Sequence, residues 1–181
     1  SDGTTDDVNI SWSIAKASFD MSNAKWDYTA PFTYNGTSKS VTLKGLPVGV
    51  TVQNYTGNSA TNAGTYTASA TLTYDAANYN DPTPIAPLTW EISKAMVNMP
   101  TVTTTAFTYN GSSQGVSIPE NAAYTVTATT SATDAGSYTA TVALNNKANY
   151  QWNDGTTGDI NISWSISAIG VAKPTVTTTS F

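Results

Sequence analysis

The residues that could perform chemistry are few, and none stands in a catalytic spacing. Glycoside hydrolysis needs two carboxylates facing one another across a bond. The chain has only two glutamates, Glu91 and Glu120, and they come from non-equivalent places. Histidine and cysteine are absent. That excludes zinc sites built on those residues, thiol catalysis and any triad with histidine as base. Asp2, Asp6 and Asp7, and again Asp154 and Asp159, flank Gly-Thr-Thr loops. Oxygen-rich loops of this kind can hold calcium. The Asp-x-Asp-x-Asp-Gly spacing of strong calcium loops is missing, so a polar turn is the favoured reading. The expectation is a non-catalytic chain with no cofactor and no metal.

Binding is the remaining chemistry. Trp26, Tyr28 and Trp152 fall in or near expected loops, where an exposed aromatic face can stack on a sugar ring. The competing reading has each ring folded over the end of a core. Nucleic acid is disfavoured as a partner: the net charge is −5, all seven basic residues are lysine, and no arginine fork is available. An anionic membrane surface is disfavoured on the same ground. Charged residues make up 10% of the chain, against roughly 25% in an average soluble domain. Thr, Ser and Asn supply the polarity instead. With no apolar run near the length of a membrane span and no signal-like segment, the chain reads as a soluble mature portion or a cut piece. Asn9, Asn35, Asn54, Asn110 and Asn161 lie in N-x-Ser/Thr sequons, which arise by chance in so Ser/Thr-rich a chain.

The elements that must position these residues are legible through repetition. "FTYNGTSKSV" at 32–41 returns as "FTYNGSSQGV" at 107–116, and "SATNAGTYTA" at 59–68 as "SATDAGSYTA" at 131–140. "AANY" at 76–79 matches "KANY" at 147–150, and "LTWEIS" at 88–93 matches "ISWSIS" at 162–167. Order is kept, so two homologous units stand in tandem. Inside each unit the period is two. Tyr66, Ala68, Ala70 and Leu72 alternate with polar residues, as do Tyr138, Ala140 and Val142, and Ile160, Ile162, Trp164 and Ile166. Such alternation marks strands with one buried face. Asn35-Gly36, Asn110-Gly111 and Asp154-Gly155 supply turns between them. The pattern predicts an all-β fold of two tandem sandwiches. Its expected core is Tyr66, Leu72, Trp90, Ile92, Tyr138, Val142, Leu144, Ile162, Trp164 and Ile166.

"TDAGSYTA" at 133–140 resembles the D-x-G-x-Y-x-C stretch of immunoglobulin domains, with Ala140 at the cysteine position. "TNAGTYTA" at 61–68 is the same with Asn62 for Asp. In that family the tyrosine starts strand F and its hydroxyl bonds back to the backbone. The resemblance implies this structural corner role for Tyr66 and Tyr138. Trp90 and Trp164 lie on the last strand rather than on strand C, a departure from the vertebrate pattern, and are expected to pack the core where a disulfide is missing. From about 18 to 168 the chain resembles bacterial Ig-like tandem repeats, with "YNG" early, "AGTYTA" late and "W-x-I" closing. Members of that family are strung along large surface and secreted proteins, often adhesins, and occur on phage particles. The resemblance therefore implies a non-catalytic stalk or spacer in an adhesin or fibre, at the cell surface, outside the cell or on a virion. Its implied partners are neighbouring repeats, joined in part by strand pairing, and a host glycan or protein reached through loops. Some such domains join a buried lysine to an asparagine. Lys16 and Lys94 follow a strand-closing tryptophan by four residues, but a plain domain-end lysine is the preferred reading.

The expected organisation is thus a closing strand of a preceding repeat at 1–17, Ig-like repeats at 18–95 and 97–168, and an opening strand of a following repeat at 169–181. Residues 1–15 nearly duplicate 153–167, and 171–181 match 97–107. The simplest account is a slice of a longer array, in which residues 7–14 are extended and paired with a sheet of a neighbour.

Overall fold

The computed structural model describes Gly3, Asp7 and residues 9–177. These residues form strands and turns with no helix. By backbone contacts the chain divides into two compact units, one of 1–32 and 36–92, the other of 33–35 and 93–181.

Unit 1 carries β1 (Lys25–Trp26), β2 (Phe32–Thr33, whose second residue falls to unit 2), β3 (Lys39–Ser40), β4 (Leu43–Lys44), β5 (Thr51–Thr56), β6 (Ser59–Ala60), β7 (Gly64–Thr73) and β8 (Leu88–Ser93). One four-stranded sheet has the order β2-β8-β7-β5, and β1-β4 and β3-β6 form two small pairs. The long strand β7 lies antiparallel to β8, with Tyr66 opposite Trp90 and Ala68 opposite Leu88.

Unit 2 carries β9 (Ala95–Val97), β10 (Ala106–Thr108), β11 (Gln114–Gly115), β12 (Tyr124–Ala128), β13 (Ser131–Ala132), β14 (Gly136–Leu144), β15 (Tyr150–Trp152) and β16 (Ile160–Ser167). Its four-stranded sheet has the order β10-β16-β14-β12. Tyr138 stands opposite Trp164 in an antiparallel ladder, while β10 runs parallel to β16 with Phe107 beside Ile166. A four-stranded sheet with shorter pairs around one apolar face, once in each unit, is consistent with a β-sandwich.

The period-two pattern decides which side chains enter the core. On β14 and β16, Ala140, Val142, Leu144, Trp164 and Ile166 are buried, as are Ala68, Trp90 and Ile92 in unit 1. Tyr66, Leu72, Tyr138 and Ile162 are half-buried rather than enclosed. The tyrosines stay partly exposed because each keeps its hydroxyl at the rim of the sheet. The Asn-Gly and Asp-Gly turns need left-handed backbone, and Gly36, Gly111 and Gly155 have φ of 80°, 78° and 84°.

Three details stand beside the sequence expectations. By contacts the division falls between Ile92 and Ser93, which groups Lys94 and Ala95 with unit 2. Among the described residues, 9–14 form no strand, and Ile10, Trp12 and Ile14 are exposed. A lone strand without a cross-strand partner is not stable in water. The segment 169–177 likewise forms no strand. Val8 and residues 178–181, which belong to the two expected end strands, lie outside the described residues.

Candidate functional site

Each unit is built around the same three rings. In unit 1 the Trp90 indole lies 5.0 Å from the Tyr66 ring and 6.0 Å, edge-on, from Phe32. In unit 2 Trp164 stacks on Tyr138 at 4.6 Å and meets Phe107 edge-on at 6.0 Å. Each indole N–H is satisfied inside its unit, donating to the Gly57 carbonyl at 3.0 Å and to the Thr129 carbonyl at 2.9 Å. A buried indole left without an acceptor would be costly, so these carbonyls help to fix the ring. The Tyr66 hydroxyl donates to the carbonyl of Asn62 and the Tyr138 hydroxyl to that of Asp134, both at 2.7 Å. Glycine two residues before each tyrosine leaves room for this: a Cβ on Gly136 would come within 3.1 Å of the Tyr138 hydroxyl. Ala68 and Ala140 are fully buried. No cysteine is present there, so packing and these hydrogen bonds tie the core together.

The three aromatics considered for ligand stacking are not brought together as a platform. Trp152 is fully buried on β15, with its ring 5.9 Å from Tyr124 and its N–H on the Gly158 carbonyl at 2.6 Å. It is a core residue and offers no face to a sugar. Trp26 is half-buried on β1, tilted over Tyr55, and its N–H reaches the Ala86 carbonyl at 2.9 Å. Tyr28 is half-buried near Phe32, and its hydroxyl accepts the Glu91 backbone N–H at 3.0 Å.

The oxygen-rich loop after Trp152 is a polar turn. Asp154 accepts both the backbone N–H and the hydroxyl of Thr156 at 2.8 Å. Those bonds, backbone first, hold its carboxyl below the usual range. Asp159 pairs with Lys147 at 2.8 Å, in solvent. Asp2 and Asp6 lie outside the described residues. Among the described residues no three acidic side chains converge on a point that could hold a metal.

One arrangement escaped the sequence reading. Lys16 and Ala17 fasten onto the Ala-Asn-Tyr turn of unit 1, and Lys94 and Ala95 fasten in the same way onto that of unit 2. The Ala17 N–H donates to the Asn78 carbonyl at 3.0 Å, and the Ala95 N–H to the Asn149 carbonyl at 2.9 Å. Each lysine ammonium donates to a backbone carbonyl of the turn, Lys16 to Ala76 at 2.7 Å and Lys94 to Lys147 at 2.8 Å. The turns are closed alike, with the Asp75 carboxylate accepting from the Ala77 N–H at 3.0 Å and the Asn146 amide oxygen from the Ala148 N–H at 3.1 Å. The lysine nitrogens thus meet carbonyl oxygens rather than an asparagine side chain. The signal was present as Lys-Ala after each closing strand and as the repeated Ala-Asn-Tyr. It carried no meaning until the backbone joined them.

These features define a class: an all-β chain of two units, each with one Tyr-Trp-Phe core and one Lys-Ala entry clamp. No family model matches the chain, and no curated protein is significantly similar to it.

Proposed function

We propose that the chain is a pair of tandem immunoglobulin-like repeats acting as a non-catalytic spacer within a bacterial surface or secreted adhesin or fibre. The observation that carries this reading is the paired recurrence of the entry clamp. Each unit grips the segment that leads into it through the same two donors, a lysine ammonium and an alanine N–H. A repeat whose entry is held by its own turn can follow another without a flexible Gly/Ser linker. The tyrosine bonded to backbone four residues upstream supports the immunoglobulin-like assignment. The polar groups of Trp26, Tyr28 and Trp152 all serve internal hydrogen bonds, which favours a spacer over a ligand-binding module. The extracellular or virion setting belongs to the same proposal and follows from the resemblance.

A binding screen tests it. The full chain is applied to a glycan array and a panel of extracellular-matrix proteins beside Trp26→Ala and Tyr28→Phe. A spacer gives no saturable signal. A saturable signal that either variant abolishes would overturn the spacer reading and establish binding through the loop aromatics.

A further inference from the structure

Residues 9–14, Asn-Ile-Ser-Trp-Ser-Ile, are identical to residues 161–166. The two copies have opposite fates. In unit 2 the hexapeptide is an inner strand, with Ile162 opposite Ala140 and Trp164 opposite Tyr138 on one side, and Ser165 and Ile166 beside Ala106 and Phe107 on the other. Trp164 is 3% exposed and Ile166 is 2% exposed. At the other copy Ile10, Trp12 and Ile14 are 81%, 80% and 84% exposed. In an extended chain these three side chains share one face, because alternate residues point the same way. Their backbone groups form no ladder either.

An exposed apolar strand invites pairing with any sheet edge. This one carries its own specification. The identical hexapeptide shows what covers that face: the tyrosine of a Gly-x-Tyr-Thr-Ala strand, the phenylalanine of an Ala-Phe-Thr strand, and a turn carbonyl for the indole N–H. We propose that residues 9–14 are a donor strand that fills the closing-strand slot of a repeat body of this same type whose own closing strand is out. The register is that of 161–166, with Trp12 opposite the body's tyrosine and Ile14 beside its phenylalanine. The inference rests on the repeat reading made above. It concerns strand substitution only, so its failure leaves the spacer reading to the binding screen.

Unit 2 of the full chain supplies the probe, because Trp164→Ser weakens its closing strand without truncation. Four full-length proteins are compared: wild type, Trp12→Ser, Trp164→Ser and the double variant. Substitution at Trp12 should leave the unfolding equilibrium of unit 2 within about twofold of wild type. In the Trp164→Ser background the same change should shift it by about tenfold or more, in proportion to lost packing. The Trp164→Ser protein should also associate with rising concentration in sedimentation, and the double variant should not. Equal effects of Trp12→Ser in both backgrounds would overturn the proposal. Should neither Trp164→Ser protein fold unit 2, a synthetic peptide of residues 7–16 is added at millimolar concentration to the double variant. Restored hydrogen-exchange protection along β14, absent with the Trp12→Ser peptide, supports the donor strand; no protection refutes it.

Discussion

The two units share a centre and differ at one end. Both hold tryptophan between tyrosine and phenylalanine, and both hold a Lys-Ala clamp. Beyond the Ala-Asn-Tyr turn they part. Unit 2 places Trp152 there, and it joins Val97, Ala123, Tyr124, Val142 and Leu144 in a second buried cluster. Unit 1 has Asp81 two residues after its tyrosine, exposed and bonded to the Tyr74 hydroxyl, and it turns into a proline-rich loop. Its end is capped by half-buried rings instead, with Phe19 stacked on Tyr79 at 4.4 Å. Among the described residues, ten buried hydrophobics fall in unit 2 and five in unit 1. The difference teaches that the Tyr-Trp-Phe centre and the clamp specify the unit, while the far end of the core sets how much apolar area each withdraws from water. Unit 1 should therefore melt first, as two calorimetric transitions.

The comparison breaks most sharply at Trp152. Trp152→Ala should cost unit 2 about 3–5 kcal/mol, enough to reverse the order of melting, with the unit 1 transition unmoved. Trp90→Ala and Trp164→Ala should each cost about the same, but only in the unit that carries the residue. Denaturant unfolding in which either variant left the transition of its own unit in place would show that the shared centre is not what holds the units.

A smaller effect separates the two Trp-bonding turns. Unit 1 uses Gly57 at φ 65°, whereas unit 2 places Ala128 at φ 66°. Left-handed backbone costs a residue with a Cβ about 1–2 kcal/mol, so Ala128→Gly should stabilise unit 2 by about 1 kcal/mol. Gly57→Ala should destabilise unit 1, since its Cβ would meet the Thr67 carbonyl oxygen at 2.2 Å. Tyr66→Phe and Tyr138→Phe should each cost about 1 kcal/mol, one hydrogen bond apiece. Unequal losses in thermal melts would reveal that the two corners are not equivalent.

The smallest effect is acid sensitivity. Asp75 closes the unit 1 turn, and hydrogen bonds from the Asn78 side chain and the Ala77 backbone hold its carboxyl below the usual range. Its counterpart Asn146 does not titrate. A lowered folded pKa means stability that is present above the unfolded value and lost as pH falls through the folded one. Asp75→Asn should therefore flatten the acid limb of unit 1 melting and leave unit 2 unchanged. Asp20, lowered by Ser22 in unit 1, and Asp154, lowered by Thr156 in unit 2, add similar small slopes that this substitution does not touch.

Much of the fold was legible because period two and turn chemistry are local. Tyr138, Ala140 and Val142 announce a strand from their own spacing, and Asn110-Gly111 a turn from its own backbone needs. Trp152 stood between two readings, a stacking face or a lid on the core, because its neighbours Asn153-Asp154-Gly155 read as a loop; it is buried. Its burial is set by Tyr124 and Val97, distant in sequence, which no local pattern reveals. The clamp was missed for the same reason: Lys94 and Lys147 are 53 residues apart. The segment 9–14 has every local mark of a strand and forms none here, since strand structure depends on a partner.

The parallel ladder between β10 and β16 has a mechanical consequence. The strand near the start of unit 2 and the strand at its end run the same way, side by side. Tension applied across the unit's two ends slides them past one another along their length. The hydrogen bonds between them are then loaded together in shear, whereas an antiparallel terminal pair would peel open one bond at a time. Unit 2 should hold until that short ladder fails as a whole, and its resistance to stretching should vanish when Phe107, the apolar side chain that seats β10 beside Trp164, is lost.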